Sequence, residues 1–174
     1  MKRLIVIGVL ILVALRVLRV QRQLAQKRRD VLHTFAELEA ALHRRHGLAR
    51  KWLEVVGSQA EREPLEMLAT ARQEAVSGLL LLAADPTEAE SLGEQAACER
   101  KFGIAMAAAG RALADRVDFD PAEQFETDAR RLAVNIHLFD EAVSRYNQAL
   151  TGIPRAWIAR LLGFTRVRRF ESDA

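Results

Sequence analysis

The chain has 174 residues, half of them apolar, 28% charged and few aromatic, with a formal net charge of +3. Its Ala, Leu, Arg and Glu content favours helices, and nothing in it is low-complexity or Gly/Ser-rich, which excludes a flexible linker between domains. Cys98 is the single cysteine, which excludes an intrachain disulfide and fits a reducing compartment.

Leu4 to Leu15 is uninterrupted apolar sequence, and Val17, Leu18 and Val20 extend it past Arg16 and Arg19. A membrane span needs roughly 20 mostly apolar residues, about 17 at the short end. Leu4 to Val20 reaches that length if the two arginines snorkel to the headgroups. No small-residue cleavage site follows; Gln21 to Arg29 is polar and basic. The expectation is a retained single-pass signal-anchor rather than a short signal sequence or a peripheral amphipathic helix. Lys2 and Arg3 precede the stretch, while Arg16, Arg19, Arg22, Lys27, Arg28 and Arg29 follow it. The excess on the C-terminal side predicts a cell-membrane protein whose C-terminal domain is cytoplasmic. The expected organisation is an anchor with its basic flank over 1–23, a four-helix bundle over 24–152, and a basic amphipathic segment over 153–174.

Leu24, Val31, Phe35, Leu38, Leu42, Ala49, Trp52 and Val56 follow 3-4 spacing, with Arg28 and Arg45 at the vacant steps. That predicts a long helix continuous with the anchor, ended at Gly57. Ser58 with Glu61 has the form of a capping box, and Pro64 suits a first turn, so a second helix starts at Ser58 with a kink or afresh at Pro64. It carries Leu65, Leu68, Val76, Leu79 and Leu82 on one side. Asp85-Pro86-Thr87-Glu88 and Asp120-Pro121-Ala122-Glu123 are both start signals, with Asp as cap and Pro at the first helical position. Between them lies a third helix on Leu92, Ala96, Met106 and Leu113, rich in small residues. A fourth follows on Phe125, Ala129, Leu132, Ile136, Phe139, Val143, Tyr146 and Leu150. Short connections between long helices predict an all-α, up-down-up-down antiparallel four-helix bundle with a short C-terminal amphipathic helix.

A carboxylate di-metal site needs Glu-x-x-His pairs, and no Glu here is followed three residues later by His. His33, His43, His46 and His137 read as surface histidines, and Cys98 as a small buried residue. No Gly-rich phosphate loop or nucleophile elbow occurs. No enzymatic activity, cofactor or metal is therefore expected. Charges in core register are more informative. Folding the chain at its turns brings Arg45, Arg72, Glu99 and the Asn135–Asp140 stretch to one level. Arg45, Arg72, Glu99 and Asp140 then form a polar layer that fixes register, lie at seam edges in water, or host a small ligand. At the C-terminus, Arg155, Trp157, Leu161, Phe164, Arg166, Arg168 and Arg169 make a basic amphipathic surface beside the anchor, suited to anionic lipid or a partner protein. The alternative is a segment folded back to cap the bundle. No aromatic-lined basic pattern points to nucleic acid.

Tyr146-Asn147, Pro154, Ile158-Ala159, Leu162-Gly163-Phe164 and Phe170-Glu171 resemble the C-terminal signature of the LemA family. Leu42-His43-Arg44-Arg45 with Leu48 resembles its first-helix motif, and Glu61 with Ala71-Arg72 its second-helix acid and Ala-Arg pair. Ile136 and Phe139-Asp140 stand where the family carries an arginine and an earlier Tyr-Asn pair, and Asp118 to Pro121 replaces a Tyr-Pro element. The resemblance implies a membrane-anchored helical bundle without established enzymatic activity. The expected function is that of an adaptor or scaffold for an unidentified membrane-associated protein; the alternative is a small-ligand sensor or enzyme using the polar layer.

Overall fold

The computed structural model describes residues 2–56, 62–113, 122–152 and 155–170, leaving aside the side chains of 2–5, 9, 62, 113, 122, 123 and 155. The described residues are overwhelmingly helical and contain no strand. No proline occurs before Pro64, so no proline breaks the first helix along its length. Helix α1 (Lys2–Val56) accordingly runs 55 residues without a break, about 80 Å at 1.5 Å per residue. Its eight predicted seam residues, Leu24 to Val56, are all buried.

The transmembrane expectation is corrected in one respect. Among the described residues, no helix is long and apolar enough to cross a membrane. The uninterrupted apolar run ends at Leu15, two arginines follow, and the side chains of Leu4, Ile5 and Val9 lie outside the described residues.

Helix α2 (Arg62–Ala84) places Pro64 in its first turn, where a missing N–H costs nothing. Gly57, Ser58 and Glu61 lie outside the described residues. Helix α3 (Ala89–Leu113) starts later than its signal predicts. Asp85 to Glu88 first make a turn, closed by the Glu88 N–H on the Asp85 carbonyl at 3.2 Å. The Asp85 carboxylate accepts from the Thr87 hydroxyl at 2.8 Å and the Thr87 N–H at 3.1 Å. Those bonds hold its acid below the ordinary range. Helix α4 (Ala122–Leu150) begins just after its Asp120-Pro121 signal, which itself lies outside the described residues. Gly152, at φ 133°, follows its end.

The helices pack as two antiparallel pairs, α1 with α4 and α2 with α3, joined across α1 and α2. Their core has two parts. One part, along the middle of α1, holds Leu24, Phe35, Leu42, Leu79, Leu92, Phe139 and Tyr146. The other holds Ala49, Trp52, Leu68, Ala75, Phe102 and Ala109. What separates them is polar.

Candidate functional site: a buried polar layer and a C-terminal strap

Arg45 and His46 leave α1 between Leu42 of one core part and Ala49 of the other. Both converge on Glu99 of α3. The Arg45 Nη1–H donates to Glu99 Oε2 at 3.1 Å, and the His46 Nε2–H donates to Oε1 at 2.7 Å. Gln95, one turn earlier on α3, donates to Glu99 Oε1 and to the Ala75 carbonyl of α2, each at 3.1 Å. His46, Gln95 and Glu99 are buried, and Arg45 is nearly so. Burial pulls the Arg45 guanidinium below its ordinary range, while the charge and hydrogen bond of Glu99 work against that. An arginine stays protonated in either case.

Small residues make room for this layer. The Arg45 guanidinium lies over the Phe102 ring, 4.9 Å from its centroid, and against Gly103. Gln95 Oε1 occupies the space that a Cβ at Gly78 would take. Gly→Ala inside a helix ordinarily stabilises by about 1 kcal/mol. Gly78→Ala is instead expected to cost about 1–2 kcal/mol, because it evicts an amide that makes two buried hydrogen bonds. A thermal melt showing a raised midpoint would refute that reading of Gly78.

Of the four residues predicted to share the layer, Arg45 and Glu99 meet. Arg72 sits half-buried on the seam of Leu65, Leu68, Ala75, Leu79 and Leu82, outside the set bonded to Glu99. Asp140 lies away from it, on α4 near the level of Phe35. His46 and Gln95 take their places. His46 was predicted at the surface, but one turn of helix separates it from Leu42 and Ala49, and it shares their face. Its ring also meets Phe102 edge-on at 5.2 Å. His43 does lie outside, half-exposed beside Glu39. Among the described residues no group of three or more His, Cys, Asp or Glu could hold a metal ion. Cys98 is partly buried against the second core part, which raises its thiol above the ordinary range.

The C-terminal residues form two distinct pieces. Helix α5 (Arg155–Leu161) ends in a Schellman motif. There the Phe164 N–H bonds the Ala159 carbonyl at 2.9 Å, the Gly163 N–H bonds the Arg160 carbonyl at 3.2 Å, and Gly163 sits at φ 74°. Trp157 and Leu161 point to solvent at 80% and 86% exposure, whereas Ala159 enters the core and Ile158 packs against it. The Arg155 side chain lies outside the described residues.

Beyond Gly163 the chain becomes an extended strap running back along α4. The Tyr146 hydroxyl donates to the Thr165 carbonyl at 3.0 Å. Asn147 closes a two-way bond with Val167, donating to its carbonyl at 2.7 Å and accepting its N–H at 3.1 Å. Asp140 accepts the Phe170 N–H at 2.7 Å. Val167 and Phe170 are buried in the first core part, and Phe164 packs against it. Phe164 therefore leaves the exposed apolar side predicted for it. Arg168 reaches α3, where a Cβ at Gly93 would come within 2.7 Å of its guanidinium. Arg166 and Arg169 remain exposed.

Paired antiparallel helices, a buried carboxylate layer and a locked C-terminal strap define an all-α bundle protein with a long N-terminal stem. The chain belongs to the LemA family: that family's model matches residues 34–174. No curated protein matches the chain. The match takes in the bundle and strap and starts after the stem. Phe139-Asp140, where the resemblance implies an earlier Tyr-Asn pair, stands one heptad before Tyr146-Asn147. Asp140 accepts a strap N–H as Asn147 does, so the departure keeps the acceptor and drops the hydroxyl.

Proposed function

We propose that this protein is a membrane-anchored, non-catalytic helical bundle that serves as an adaptor or scaffold at the cytoplasmic face. The observation that carries the proposal is the stem of α1. Val6, Ile7, Leu10 to Val13, Leu15 and Leu18 are exposed, most by more than half. Apolar surface in water is unfavourable by about 25 cal/mol per Å², and hydrocarbon is the medium that suits a bare apolar helix. The bare run from Val6 to Leu18 rises about 18 Å, less than a bilayer core of about 30 Å, so it attaches the protein by inserting in one leaflet rather than by a full span. The basic excess that follows favours a cytoplasmic bundle.

A groove between α2 and α3 supports the adaptor reading. Met67 and Ile104 are exposed along it, and Glu63 and Glu66 rim it, with Glu74 paired to Lys101 at 3.6 Å on the other side. That combination suits a basic amphipathic helix of a membrane-associated partner. The polar layer favours the sensor or enzyme reading less, because Glu99 is buried and already accepts three donors from its own chain.

After alkaline carbonate washing the full chain is expected to remain in the membrane pellet, and release would reduce the stem to a peripheral helix. With Cys98→Ala, a cysteine at exposed Gln73 is expected to resist membrane-impermeant thiol reagents in intact cells. Labelling there would place the bundle on the other side.

A further inference from the structure

The chain has no Asp or Glu before Asp30, and none between Glu141 and Glu171. These two stretches meet where α5 packs on the stem of α1. Between them lies a groove of about 710 Å³, with Leu12, Val13 and Ile158 on an apolar wall that Val17 and Val20 continue, Arg16 and Arg19 set among the valines, and Gln23 at one end. Arg16 and Arg19 are exposed, and among the described residues neither makes an ion pair. Along the axis of α1 the lining is purely apolar at Leu12 and Val13, carries Arg16 and Arg19 among Val17 and Val20 over the next two turns, and ends at neutral Gln23, all within about 15 Å. A phospholipid passes from chain to phosphate to hydrated headgroup in the same order and over a similar depth. Exposed Trp157, beside Ile158 on α5, has the amphipathic ring that settles at the headgroup level.

We propose that this groove binds one anionic phospholipid, its phosphate between Arg16 and Arg19 and an acyl chain along Leu12, Val13 and Ile158. The proposal rests on membrane attachment through the stem and adds a selective site to it. A neutral lipid carries its own cation beside the phosphate, and Arg16 and Arg19 repel that cation. An anionic lipid supplies the carboxylate-like charge that both segments lack. Phosphate is also matched to the planar guanidinium fork.

The test is native mass spectrometry of the delipidated full chain in non-ionic detergent, with equimolar phosphatidylglycerol and phosphatidylcholine of identical chains. One phosphatidylglycerol per chain should be retained with a preference of about thirtyfold, the value two arginines near an anionic headgroup supply. Arg16→Gln with Arg19→Gln should bring the preference close to unity. Arg22→Gln with Arg29→Gln removes the same charge from exposed positions of α1 outside the groove and should leave the preference intact. Inorganic phosphate in excess should not displace the lipid, having no chain for the apolar wall. Equal loss in both double variants would show diffuse attraction and overturn the site, as would displacement by phosphate or absence of retention in the wild type. The carbonate wash keeps the two readings apart. A wild-type chain that stays in the pellet without lipid selectivity refutes the groove alone, and a chain that selects phosphatidylglycerol but is released by carbonate refutes the anchor alone.

Discussion

Glu99→Ala is expected to lower the unfolding free energy by about 3–5 kcal/mol, the cost of stranding a buried charge. Glu99 accepts from Arg45, His46 and Gln95 at once. Its removal leaves a guanidinium and an imidazole inside the bundle without their acceptor, and leaves the Gln95 amide only the Ala75 carbonyl. Each buried group left unsatisfied costs about 1–3 kcal/mol, more where it is charged. Arg45 Nε, His46 Nδ1 and Gln95 Oε1 already have no hydrogen-bond partner among the described residues, so the layer has little slack. Arg45→Ala should fall in the same range, because it strands Glu99. Urea titration of a chain lacking residues 1–18, which retains the core from Val20 onward, measures both. A loss below about 1 kcal/mol, the effect of an exposed pair, would mean that water reaches the layer. Replacing Arg45, His46, Gln95 and Glu99 together by apolar residues of similar volume is expected to be neutral or stabilising. The layer's contribution would then be the vertical register of α1 against α3, which two continuous apolar seams do not specify.

Phe170→Ala is expected to cost about 3–5 kcal/mol, as for other aromatic truncations in cores. Phe170 is 5% exposed, although it lies at the far end of an extended segment and not in a helix. Its N–H is held by Asp140, and its neighbour Val167 is held in both directions by Asn147. Loss of the ring should free the strap before it unfolds the bundle. Arg166, Arg168 and Arg169 make that release visible, because trypsin cleaves after each once the backbone is free. Faster cleavage there, with bundle helicity retained, is the expected pattern. Arg166→Gln, at an exposed position, should change stability by no more than about 0.5 kcal/mol. Equal protease resistance of Phe170→Ala and the wild type would show that the strap is held by its polar contacts alone.

The family match and the observed fold are consistent with a division of labour along the chain. The family match covers residues 34–174, and the bare apolar surface of Val6 to Leu18 lies before it. Substitutions in the stem are therefore expected to change where the protein resides, and substitutions at Glu99 or Phe170 to change whether it folds.

The sequence alone determined the helices, their antiparallel order and most of the core. The seams of α1 and α4 carry large apolar residues at 3-4 spacing, so burial follows from periodicity alone. The α3 seam was harder to read. Gly93, Ala96, Ala105 and Ala109 give little contrast between faces, and Phe102, the largest buried residue there, was not singled out. Arg45 and Glu99 were legible as core-register charges that could pair; His46 and Gln95 were not. A shift of one helical turn is 5.4 Å, enough to exchange one polar partner for another. The relative heights of four helices are set by how their side chains interlock, as at Phe35 with Phe139 and Trp52 with Phe125. That is why His46 and Gln95 meet Glu99, while Asp140 turns to Phe170. The strap was hidden for a different reason. An extended segment has no helical period, and its bonds to Asp140 and Asn147 span 20 to 30 residues of chain. Only the closed bundle brings those groups together and decides that a basic tail carries two core residues.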